Sequence, residues 1–177
     1  MIGWMCAAAL AEDRTVEDFN PPTSLQWTDV SPIHSGIAIP TGYFYIDDPV
    51  AYFGQSWSGD AGICLAQHPM GGDCEVVSSG YLVTHTALEA VVWSEEFPSD
   101  YLRVNLERTG TYVDQSVGAA QAAWEVRTID TTFACGQQAT IEWIALGSPD
   151  ALYAMDDLVQ TGAICPQYTD ADGDGLC

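Results

Sequence analysis

From Tyr101 to Glu107 the chain alternates, with Leu102, Val104 and Leu106 on one side and Arg103, Asn105 and Glu107 on the other. A period of two is the signature of a strand with one buried face. Trp124-Glu125-Val126-Arg127 and Thr140-Ile141-Glu142-Trp143 repeat the scheme. Gly36 to Ile46 is β-branched and aromatic, punctuated by Pro40-Thr41-Gly42. Turn residues recur at Pro98-Ser99, Thr109-Gly110, Gly136 and Ser148-Pro149-Asp150. Val117 to Trp124 is short and alanine-rich and reads as a loop or strand edge. Thr86 to Trp93 fits either a strand or a helix on composition. Many short strands at regular spacing predict an all-β, antiparallel two-sheet β-sandwich or jelly roll. The core candidates are Val91, Trp93, Leu102, Val104, Leu106, Val126, Ile141 and Trp143.

Ala139–Leu146 and Leu152–Thr161 read as two strands of a hairpin around Pro149. Counting outward from that centre places Cys135 opposite Cys165. Cys64 and Cys74 flank a second turn, LAQHPMGGD, which reads as a hairpin tip. Of six cysteines these four form an even set, which predicts disulfides 64–74 and 135–165 in an oxidising compartment. Zinc is disfavoured because no C-x-x-C pair exists and the three histidines are scattered. His34, His68 and His85 read as surface or loop residues.

Length and charge narrow the picture. The 177 residues suit one domain with short appendages, and 47% apolar residues with nineteen aromatics support a real core. The net charge of −21 comes from 25 acidic residues against four basic ones. Phosphate would be repelled, so nucleic acid is excluded as a default partner, as is an anionic membrane. Acidity serves solubility and also attracts cations, calcium above all.

The ends differ from the middle. Residues 1–11 are apolar and uncharged, close with the A-x-A site Ala9-Leu10-Ala11, and read as the remnant of a secretion signal. Eleven residues are too few to span a bilayer. Residues 166–177 carry Asp170, Asp172, Asp174 and Gly175, the first half of a D-x-D-x-D-G calcium loop. That segment resembles the opening of a thrombospondin type 3-like repeat, which implies an acidic calcium-binding stalk and further domains of a longer parent chain. Residues 12–165 remain as the sandwich domain.

Within that domain, Val16-Glu17-Asp18-Phe19-Asn20 followed by Trp27, then Gly42-Tyr43-Phe44-Tyr45-Ile46-Asp47, resemble the first strands of MAM-like and cleaved-adhesin-like jelly rolls. Gly80-Tyr81-Leu82-Val83-Thr84 is similar to a further strand of that family, with His85 where proline is usual. Gly136-Gln137, Thr140 to Ile144 and Tyr153 to Gly162 resemble its closing motif. The resemblance spans residues 16–162. It implies a concanavalin-like jelly roll used for adhesion or as an accessory module of secreted enzymes. It also implies a structural calcium shared between the first and last strands. The matching positions are Glu17 or Asp18, Asp47, and Asp156 or Asp157.

The Asp156-Asp157 pair points the same way on physical grounds. Strand neighbours face opposite sides, so one carboxylate must turn into the protein, which costs several kcal/mol unless it is paired or metal-bound. The same holds for Asp47-Asp48. No paired-carboxylate strand motif of the E-x-D-x-x-E kind, no H-E-x-x-H and no well-formed nucleophile elbow is present. The expectation is a non-catalytic secreted or cell-surface module for adhesion or carbohydrate recognition. A structural spacer and a secreted hydrolase fragment are the alternatives. Tyr52, Phe53 and Trp57, in a Gly- and Ser-rich loop, are candidates to stack on a glycan or meet a cell-surface protein, or else to pack on their own sandwich. Trp93, Trp124 and Trp143 read as core.

Overall fold

The computed structural model describes residues 12–32, 42–66, 72–94, 100–106, 112–116, 123–147 and 152–165. Residues 1–11 with Cys6, the acidic end with Asp170, Asp172, Asp174 and Cys177, His34, His68 and the expected turn positions at Pro98, Thr109-Gly110 and Pro149 lie outside them.

Twelve strands are described: β1 (Arg14–Glu17), β2 (Trp27–Asp29), β3 (Gly42–Asp47), β4 (Ala61–Ala66), β5 (Gly72–Ser78), β6 (Tyr81–Leu82), β7 (His85–Ser94), β8 (Asp100–Leu106), β9 (Tyr112–Ser116), β10 (Trp124–Asp130), β11 (Gln138–Gly147) and β12 (Leu152–Ile164). A single helical turn, α1 (Val50–Phe53), interrupts the β3–β4 connection. The strands form two antiparallel sheets. The first runs β10-β7-β12-β4-β3, with β1 also on β12; the second runs β2-β5-β11-β8-β9, with β6 also on β11. The fold is an all-β jelly-roll sandwich. No helix among the described residues is long and apolar enough to cross a membrane.

The core lies between the sheets. Leu88, Ala90, Val92, Tyr153, Met155 and Leu158 of the first sheet meet Val76, Ala139, Ile141, Trp143 and Ala145 of the second. Removal of this apolar surface from water is what holds the layers together. Leu106, Ile141 and Trp143 are buried there as expected. Thr86–Trp93 is strand rather than helix, because its apolar residues are buried on both faces.

Three expectations are corrected. Val126 is 45% exposed: it pairs with Val91 on edge strand β10 and shares the parity of Trp124, which is turned away from the second sheet. Its alternation was real, but the apolar row belongs to the outer face. His85 is buried, at 6% exposure. It opens β7 with one ring nitrogen against Thr84 Oγ1 and the other 3.2 Å from the Glu12 carbonyl. Neither expected hairpin is one. β4 and β5 lie in different sheets, as do β11 and β12, so the strands of neither pair are hydrogen-bonded to each other.

Both disulfides nevertheless form, with Cα–Cα distances of 5.7 Å for Cys64–Cys74 and 5.4 Å for Cys135–Cys165. Cys64–Cys74 rivets one sheet to the other through the core. Cys135–Cys165 ties the end of β12 to the turn after a 3-10 segment, Thr132–Ala134.

Candidate functional site

The long strand β12 changes partners along one edge. Leu152 to Met155 pair with β4, and Leu158 to Gln160 pair with β1. Asp156 and Asp157 occupy the gap, where the register against β7 also slips. Asp157 takes φ 27°, a conformation Asp tolerates better than most residues. The bulge removes the strict alternation from which an inward carboxylate was expected. Asp156 is fully buried, yet its parity sets it on the outer face of the first sheet, beside Val91.

Its oxygens are satisfied from the loop that follows α1. Ser58 N donates to Asp156 Oδ2 at 3.0 Å, Ser58 Oγ to Asp156 Oδ1 at 3.1 Å, and Asp157 N to Asp156 Oδ1 at 2.8 Å. Ser58 Oγ also lies 3.2 Å from Asp157 Oδ1. Burial raises the Asp156 carboxyl above its ordinary value, and the backbone N–H groups of Asp157 and Ser58 oppose that rise.

Glu17 is the other fully buried carboxylate. Its Oε1 accepts from the backbone of Phe19 at 2.8 Å, Asp18 at 3.1 Å and Ser24 at 3.3 Å, and its Oε2 from Leu25 at 2.7 Å and the Trp27 indole at 3.4 Å. It organises the turn that carries the chain from the first sheet to the second. Asp18, half-buried, caps the same turn by accepting from Asn20 N. Asp47 is exposed and holds Tyr52 Oη at 2.9 Å and Asp48 N at 2.9 Å.

These positions are not gathered around one point. In the sheet, Asp47 pairs with Ala61, and β4 separates it from β12. Among the described residues no group of three or more His, Cys, Asp or Glu could hold a metal ion. Glu17 and Asp156 are satisfied by N–H and O–H donors, so burial alone does not demand a cation at either. Asp18 follows, and Asp157 precedes, the last β1–β12 pair, Glu17 with Leu158, by one residue.

The outer face of the first sheet carries a second apolar layer. One row reads Tyr45, Ile63, Ala154, Trp93 and Trp124 across β3, β4, β12, β7 and β10. Four strand spacings give it a length of about 19 Å. The loop from Asp48 to Asp60 folds over this row. Phe53 lies on Trp93 with ring centroids 3.8 Å apart, and Tyr52 lies 5.8 Å from Tyr45 and 6.2 Å from Phe53. Gly54, at φ 71°, ends α1 and turns the loop back toward Ser58. Tyr45 is pushed up to about 12, mainly by burial and then by its neighbour Tyr52. Tyr52 is raised chiefly by its hydrogen bond to Asp47.

Phe53 thus packs on its own sandwich, whereas Tyr52 and Trp57 are 42% and 50% exposed. Trp143 is core. Trp93 is buried on the outer face under Phe53, and Trp124 is half-buried beside it, so neither belongs to the inter-sheet core. Tyr43, Tyr45, Trp93 and Trp124 were not singled out as surface aromatics. The unbroken apolar run Ala90-Val91-Val92-Trp93 was the available signal, since a strand covered on both sides loses its alternation.

No family model matches the sequence, and no curated protein matches it. Solved structures do share the fold. The K2 cleaved adhesin domain of Lys-gingipain is 16% identical with a TM-score of 0.55, over 85% of this chain and 99% of that one. The family 11 carbohydrate-binding module from Clostridium thermocellum, in complex with a β-1,3-1,4-mixed-linked tetrasaccharide, is 8% identical with a TM-score of 0.54, over 86% and 97%. The family 30 carbohydrate-binding module of a cellulosomal cellulase of Clostridium thermocellum is 11% identical with a TM-score of 0.55, over 85% and 98%. The chain therefore has the jelly-roll architecture found in carbohydrate-binding modules and in a cleaved adhesin domain.

Proposed function

We propose that this domain is a non-catalytic glycan-recognition module of a secreted or cell-surface protein. The observation that carries the reading is the set of exposed aromatics, Tyr43, Tyr52 and Trp57, on the outer face of the first sheet and in the loop that covers it. Flat rings offer apolar faces to the C–H faces of sugars. Fold-level likeness to carbohydrate-binding modules supports the same class, and two disulfides fit an oxidising compartment. The likeness to an adhesin domain favours adhesion as the alternative, with the same face meeting a protein.

Calcium belongs to this reading as a surface ion at the end of the β1–β12 pairing, with Asp18 and Asp157 as its candidate ligands, rather than as a bridge through Glu17, Asp47 and Asp156. A glycan array followed by calorimetry tests the proposal. Trp57→Ala or Tyr52→Ala should weaken a bound glycan by about threefold to tenfold, the effect of losing one stacked ring. Binding that ignores both substitutions, or an array without any bound glycan, would sink it.

A further inference from the structure

The outer face of the first sheet has a one-sided charge pattern. Among its described residues, Asp47, Asp130, Glu89 and the buried Asp156 are acidic, none is Lys or Arg, and the one histidine, His85, is buried at the start of β7, far along the strand from Asp47. Asp48 adds a carboxylate from the covering loop. Arg127, the nearest cation in sequence, has the opposite parity on β10 and is ion-paired with Glu125. The aromatic row ends at Tyr45 and Tyr52, and there the Tyr52 hydroxyl holds the Asp47 carboxylate at 2.9 Å. Two ring faces beside a fixed, exposed anion complement an ammonium group: the rings attract it through their quadrupoles and the carboxylate by charge. They oppose a second carboxylate, which would find no cation to offset its lost hydration.

We infer that this face reads the charge of the glycan, taking chains with free amino groups over neutral ones and excluding uronates, with Asp47 as the selecting residue. The inference rests on the glycan reading above and adds the substrate class. General attraction by the net charge of −21 would also favour a cationic sugar. It acts from every side of the molecule, however, whereas Asp47 acts at one end of the row.

The test compares β-1,4-linked hexamers of glucose, glucosamine and glucuronate by calorimetry at about pH 5.5, where amines are protonated. At about 20 mM salt the glucosamine hexamer should bind about tenfold more tightly than the glucose hexamer, and the glucuronate hexamer should show no binding. Asp47→Asn should reduce that preference to about threefold, and Asp47→Glu should keep it. Asp13→Asn, which removes one charge from the exposed segment before β1, should leave it intact. Equal affinity for the glucose and glucosamine hexamers would overturn the inference and leave the glycan reading standing. So would an equal response to Asp13→Asn and Asp47→Asn. Failure of every hexamer, together with an empty glycan array, would remove both.

Discussion

Glu17→Gln offers the sharpest probe of how this fold is held. In the native turn both carboxylate oxygens are used: three backbone N–H groups converge on Oε1, and Leu25 N–H and the Trp27 indole on Oε2. The amide can keep its oxygen on the first set. Its NH2 must then face Leu25 N–H, donor against donor, inside a turn where Phe19 and Leu25 are both buried. The loss is one charge-assisted hydrogen bond, about 1.5–3 kcal/mol, plus the cost of an orphaned buried N–H, about 1–3 kcal/mol. Together they amount to about 2.5–6 kcal/mol, a large part of the 5–15 kcal/mol typical of a domain. Urea unfolding followed by tryptophan fluorescence measures it, with an unchanged slope indicating that the unfolded state is unaffected. The loss should be the same with calcium or with chelator. A loss below about 1 kcal/mol would refute the assigned role. So would a wild-type loss on chelation as large as that of the substitution, which would make Glu17 a calcium ligand instead.

Two further outcomes follow from the same structure. Replacing both cysteines of a bridge by Ser should cost about 2.7 kcal/mol for Cys64–Cys74 and about 3.6 kcal/mol for Cys135–Cys165, from loop separations of 10 and 30 residues; urea midpoints in the reverse order would contradict the loop-entropy account. Asp156 gives a pH signature. Its folded value lies above the unfolded 3.8 because burial disfavours the charge, so its stabilising contribution is fullest below the unfolded value and is lost as pH rises through the folded one. The unfolding free energy of wild type minus that of Asp156→Asn should therefore fall as pH rises across the carboxylate range, and a rise would contradict the assigned environment.

Much of this protein was written locally. Alternation at Tyr101–Glu107 and Thr140–Trp143 sets strand type because the side-chain period of a strand is fixed by its backbone. The two bridges were chosen correctly, although the hairpins from which they were read are not formed. Tertiary structure decided everything that depends on which sheet a strand joins. Alternation says that a residue faces one side, not which side is the core, so Val126 was expected in the core and lies exposed, whereas Trp93 is buried as expected but in the layer under Phe53 on the outer face. Turn residues say that the chain reverses, not whether the next strand joins the same sheet or the facing one, so two strand pairs in different sheets were read as hairpins. The Asp156-Asp157 pair was legible as an anomaly. Its resolution required Ser58, almost a hundred residues earlier, to be folded over the outer face by α1. The aromatic row was least legible of all. Its members come from five separate segments, and only the register of β10, β7, β12, β4 and β3 brings them into line.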